Sequence, residues 1–155
     1  MNLTIEKQTA KKLYPDSPSW FREVLTETFG ESFFKKKSFK DIKTMEDVYE
    51  ALNVDPSEIF NSNDTTDEIA YKKMKLMVKA INPEGWFADW DNSNQRKWWP
   101  WFKLSSGFGF VVSTYYYGHT NATVGSRLCT DSREKVLYIA EQFKDLYQDY
   151  FLYSE

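Results

Sequence analysis

The scarcest reactive side chains are one histidine, His119, and one cysteine, Cys129. A zinc site of His and Cys ligands needs more such groups than one of each can supply, and a Cys–His nucleophilic pair has a single candidate for each role. His119 falls in "GHTNA", which reads as a solvated hairpin loop. A lone cysteine forms no internal disulfide, so nothing points to an oxidising compartment. The run "DWDNSNQ" sets Asp89, Asp91 and Ser93 at the first, third and fifth places of a calcium loop. Its sixth place holds Asn94 where glycine is wanted, and its twelfth holds Pro100 where a bidentate glutamate is wanted. Turns closed by Asx side chains account for the run better. No P-loop, no dinucleotide glycine signature at a strand–helix junction and no nucleophile elbow occurs. Carboxylates are scattered over polar helix faces. No catalytic residue, metal or cofactor is assigned, and a non-enzymatic role is expected.

What remains is aromatic and cationic. Aromatic residues make up 18% of the chain, with six Trp, ten Tyr and twelve Phe. That is more than a core of this size hides completely, so some are expected on a binding face. Trp86, Trp90, Trp99 and Trp101 crowd one run, with Arg96, Lys97 and Lys103 among them. Lys35, Lys36, Lys37, Lys40 and Lys43 form one basic group, and Lys72, Lys75 and Lys79 form a helical stripe. Acids interleave both groups, so solvated faces are the default reading. If the two groups met in space they would suit phosphates or an acidic partner.

The elements that position these residues change character along the chain. Residues 1–16 lack a period and read as an extended or frayed lead-in. "SPSWFREVLTETFG" reads as a helix with Ser17 before Pro18 as its cap and Gly30 as its stop. Thr44 opens a short helix through about Leu52 with a capping-box start. "TTDEIAYKKMKLMVKAIN" is a helix whose buried face is Ile69, Ala70, Met74, Met77, Val78 and Ile81. From Lys97 the period becomes 2, and "KWWPWFKLS", "FGFVVSTYYYG" and "TVGSRLCT" read as three strands. Pro100 makes the first an edge strand. "DSREKVLYIAEQFKDLYQDYF" is one long closing helix. The expected fold is α+β: N-terminal helices, a three-stranded antiparallel meander, and a long C-terminal helix packed on the sheet, in a single domain over 1–155.

Strand alternation then sorts the aromatics. Phe108, Phe110, Val112, Val124, Leu128, Trp98, Phe102 and Leu104 are expected on the core side. Trp99, Trp101, Lys103, Tyr115, Tyr117 and Arg127 are expected on the other, as a platform suited to bases or to a partner's side chains. The alternative is that the N-terminal helices cover that face. "SGFGFVVS" (Ser106–Ser113) resembles an RNA-recognition strand, since Gly107, Phe108, Gly109, Phe110 and Val111 fit. Ser106 and Ser113 stand where a cation and a further aromatic are wanted, and no early strand supports the βαββαβ order.

Bulk properties narrow the partners. A net charge of −3 argues against a protein held on duplex DNA by charge alone. No stretch reaches the about 18 apolar residues of a membrane span, and the N-terminus does not read as a secretory signal. A soluble intracellular protein is expected, with no membrane partner.

From about Thr66 onward the chain resembles small uncharacterised proteins carried by phages and prophages of gut Bacteroidetes. The resemblance rests on Trp86, "WDNSNQ" (Trp90–Gln95), "PWF" (Pro100–Phe102), "GFGF" (Gly107–Phe110), "GSRLC" (Gly125–Cys129) and Phe143, and more loosely on "FKDIKTMEDVYEALNVDP". It carries no activity, ligand or site residue, and implies only context: a phage or mobile-element product working in the bacterial cytoplasm or in a virion. The expected function is a small binding protein acting through protein–protein contacts around Trp86, Trp90, Trp99 and Trp101. One alternative is single-stranded nucleic-acid binding, with Trp99, Trp101, Tyr115 and Tyr117 stacking bases beside Arg96, Lys97, Lys103 and Arg127. The other is a virion structural component.

Overall fold

The computed structural model describes residues 4–35, 38–105, 109–120 and 124–152. Among these, seven α-helices and one antiparallel sheet give the α+β class expected. Backbone contacts gather into two compact units, Met1–Lys37 and Ser38–Glu155.

In the first unit a helix, α1, spans Lys7–Leu13, where an extended lead-in was expected. Its lysines, Gln8 and Ala10 are good helix formers, and Ala10 gives it a buried anchor. Helix α2 spans Ser19–Phe29 and α3 spans Glu31–Phe34. Ser17 is not the cap of α2. Pro18 holds that position, and the Ser17 hydroxyl donates backwards to the Leu13 carbonyl at 2.6 Å. Gly30, at φ 87, stops α2 as expected and starts α3. Tyr14 stacks on Phe34 at 3.9 Å, and Phe33 meets both Phe29 and Phe34.

The second unit opens with a 3₁₀ turn, Phe39–Asp41, and helix α4, Met45–Leu52. The capping box is formed: Thr44 Oγ1 accepts from the Asp47 N–H, and the Asp47 carboxylate accepts from the Thr44 N–H. Helix α5, Thr66–Ile81, begins in the same way, with Glu68 accepting from the Thr65 N–H at 2.9 Å. Its buried residues are Ala70, Met74, Met77, Val78 and Ile81; the expected Ile69 is half-buried. They pack with Ile42, Val48, Leu128, Ile139, Phe143, Leu146 and Tyr147 in one core.

The closing segment is broken. Phe143 leaves helical geometry at φ −114, ψ 30, and divides it into α6, Arg133–Gln142, and α7, Lys144–Phe151. The break lets α6 lie on both strands while α7 packs on α5, so only part of the segment covers the sheet.

The sheet has two strands, β1 (Lys97–Ser105) and β2 (Gly109–Gly118), rather than three. The expected third strand fails at Gly125, whose φ of 71 turns the chain into a 3₁₀ turn, Ser126–Leu128. Among the segment's described residues, only Thr130 recovers pairing, as an isolated bridge to Trp98. The beginning of that segment, like Ser106, Gly107 and Phe108, lies outside the described residues, as do the faces expected for Phe110 and Val112.

Part of the expected face assignment holds, with Trp98 and Leu128 buried and Trp101, Lys103, Tyr117 and Arg127 exposed. Register overturns how the two strands' residues group. Trp98 pairs with Tyr117, Trp99 with Tyr116, and Trp101 with Thr114, before a bulge between Trp101 and Phe102. Trp99 and Trp101 therefore share a side with Tyr116, while Tyr115 and Tyr117 meet Trp98. Leu104, expected in the core, is exposed, and Trp99, expected outside, is only 2% exposed.

Candidate functional site

The expected binding residues divide among three settings. The first is a buried clamp. Trp99 packs with Ala88 and Cys129, and Trp86 and Trp90 close over that small cluster. Lys97 was expected near solvent, yet it is fully buried. Its Nζ donates to the Asn92 carbonyl at 2.8 Å and the His119 carbonyl at 2.7 Å, and sits 5.3 Å from the Trp90 ring. Two carbonyls and a π-face replace the water that a buried ammonium loses. Trp90 Nε1 donates to Ser126 Oγ.

The loop around this lysine is built as expected. Asp89 and Asn92 side chains accept from the N–H groups of Asp91 and Asn94. Gln95 spans the loop, accepting from the Asp89 N–H and donating to the Phe87 carbonyl. His119 is half-buried rather than solvated, and its Nδ1 lies 2.6 Å from the Ser93 carbonyl, so that nitrogen carries the proton. Asn82, at the end of α5, donates to the Cys129 carbonyl at 2.9 Å and accepts from the Asp131 N–H at 3.1 Å. Burial pushes the Cys129 thiol up to about 12, which keeps it neutral and unreactive.

The second setting is the side of the ribbon bearing Tyr115 and Tyr117. Its ring faces are already occupied: Arg96 lies over Tyr117 at 5.2 Å and Arg133 over Tyr115 at 4.8 Å, with Trp98 between the tyrosines. The four-ring platform of Trp99, Trp101, Tyr115 and Tyr117 does not form, because register sends its members to opposite sides.

The third setting is exposed. On the two sides of the bulge, Trp101 is 49% and Leu104 53% exposed, with Lys103 exposed between them. With Pro100, Phe102, Val124 and Phe151 they border an apolar groove of about 250 Å³. Tyr116, also exposed, flanks Trp101 at 6.1 Å.

Arg127 and Trp86 belong to a separate cleft of about 560 Å³ along α5. Lys72, Lys75 and Lys79 line it, so the helical stripe and these two residues meet in space. The other basic group is not gathered there: Lys40 pairs with Glu134 at 2.7 Å and Lys35 with Glu31 at 3.4 Å, while Lys36 and Lys37 lie outside the described residues. Phe87, 69% exposed, was missed by sequence reasoning, although "GWF" after a glycine put it beside Trp86. Among the described residues, no group of His, Cys, Asp and Glu side chains could hold a metal, and no helix is long and apolar enough to cross a membrane.

Comparison of the chain with protein-family models, with curated proteins and with solved structures gave no match.

Proposed function

We propose that this chain is a small non-enzymatic binding protein that docks a partner protein on the apolar groove toward the Ser105–Gly109 end of the ribbon. The observation that carries the reading is the grouping of Trp101, Leu104 and Phe151, all about half exposed, around one groove. A fold that buries Trp98, Trp99 and even Lys97 next door has the means to bury these too. Large apolar side chains gathered at a rigid surface are the composition of interface hot spots. The resemblance to phage-borne proteins suggests a partner met inside a bacterial host.

The test is capture from a Bacteroidetes lysate by the wild-type chain and by the Trp101→Ala, Leu104→Ala double variant, with sedimentation of both alone. A specific partner retained by the wild type and lost by the variant is the expected result. Equal capture by both would overturn the reading. Regular oligomers of the wild type that dissolve in the variant would replace it with the virion-component reading, the groove then holding a second copy.

A further inference from the structure

We propose that the cleft along α5 is a second binding site, for a phosphate-bearing nucleobase ligand: a free nucleotide or a single nucleic-acid strand. The cations come first. Lys72, Lys75 and Lys79 recur at three- and four-residue spacing, which sets them on one helical face, and Arg127 lines the same cleft, whereas Glu58 is the only acid lining it among the described residues. Lys72 is committed to Asp64 at 2.6 Å. Lys75 lies over the Tyr71 ring at 4.8 Å, while Lys79 and Arg127 have no ion-pair partner among the described residues. Cations gathered around one concavity raise the local concentration of anions.

The aromatic rings decide which anion. Phe87 is largely exposed and neighbours Trp86 at the cleft wall, offering π-faces beside the charges. Charge with adjacent aromatic faces is the pairing that holds nucleobases without reading their edges. An acidic peptide fits less well. Its backbone would need hydrogen-bonding groups, but one wall is helix α5, whose backbone is paired internally. The Phe87 carbonyl is taken by Gln95, and both ends of the Asn82 amide are in use. The cleft thus presents charge and rings, with little to pair a peptide backbone. Its volume suits one nucleotide at a time.

Tryptophan fluorescence, with Trp86 as the cleft's own reporter, is titrated with adenosine monophosphate, with a short oligothymidylate and with polyglutamate, at low and high salt. Quenching by at least one nucleic probe, weakened by salt, is expected. Lys79→Glu with Arg127→Glu should weaken it about tenfold or more, and Phe87→Ala roughly fivefold or more; all three residues are exposed, so the fold should persist. Equal affinity for the two nucleic probes identifies a nucleotide site, and preference for the oligomer identifies a strand. No quenching by either at low salt, insensitivity to these substitutions, or equally tight polyglutamate binding would overturn the proposal.

Discussion

From Lys97 to Pro100 strand β1 is buried at every residue; from Trp101 to Leu104, every residue but Phe102 is exposed. The two halves have similar composition, each with tryptophan and a lysine, so hydrophobicity does not separate them. What separates them is what lies alongside. The first half is bridged to Thr130 on one edge, paired to Tyr115–Gly118 on the other, and fastened through Lys97 to the Asn92 and His119 carbonyls. The second half contains the bulge, and there Phe102 turns inward to Tyr147 at 4.9 Å and Phe151 at 6.1 Å. One half is therefore an anchor, and the other is a surface held out by it.

The comparison can be broken at four points, from the largest effect down. Trp99→Ala should lower unfolding free energy by about 3–5 kcal/mol in urea denaturation, because it empties a sealed site. A loss below about 1 kcal/mol would mean that the anchor is not where the burial puts it. Lys97→Met keeps the stem but strands two carbonyls, so about 1–3 kcal/mol should be lost, with faster amide exchange in residues 91–95.

The third point is pH. Cys129 rises from its ordinary 9.0 to about 12 through burial, and the Tyr147 hydroxyl is also pushed upward by burial. Both groups are neutral when protonated, so the folded state holds these protons more tightly than the unfolded chain. The stability they contribute is complete below about pH 9 and is lost as pH rises toward 12. Denaturation midpoints should fall progressively over that window, and iodoacetamide at pH 8 should modify Cys129 only in urea. Ready alkylation of the folded chain would contradict the sealed anchor. Trp101→Ala should have the smallest effect, about 1 kcal/mol or less, while abolishing capture of a partner. If it destabilises as much as Trp99→Ala, the two halves are not different in kind.

How much of this could be read from the residues depended on whether the signal was local. The capping box at Thr44 and the buried stripe of α5 were legible, because caps and helical spacing act within one turn or one face. The third strand was not. "TVGSRLCT" alternates well enough, but the positive φ at Gly125 is a backbone property that composition does not reveal. Strand faces were legible only in relative terms. Alternation says that Trp99 and Trp101 share a side, and leaves open whether Tyr115 or Tyr116 joins them. A one-residue difference in register moves the whole set across the sheet. Lys97 was misplaced because burial of a lysine depends on carbonyls brought from residues 92 and 119, which no pattern along the strand announces. The cleft was half legible: the lysine stripe and Arg127 were both noted, but their meeting required the turn that replaced the third strand.

The contacts of Tyr138 and Gln142 carry a consequence for the order of assembly. The Tyr138 hydroxyl donates to the Ile42 carbonyl at 2.9 Å, and the Gln142 amide donates to the Lys43 carbonyl at 3.0 Å, across separations of 96 and 99 residues. Helices α4 and α5 form their caps as soon as they are made, but Ile42 and Met74 share a core with Ile139 and Phe143. On the ribosome, that apolar surface stays bare until the last two helices emerge. The domain therefore closes late, by a long-range step of the kind that slows folding. A chain cut short before residue 133 would keep well-capped helices with an open apolar face, and would aggregate rather than fold.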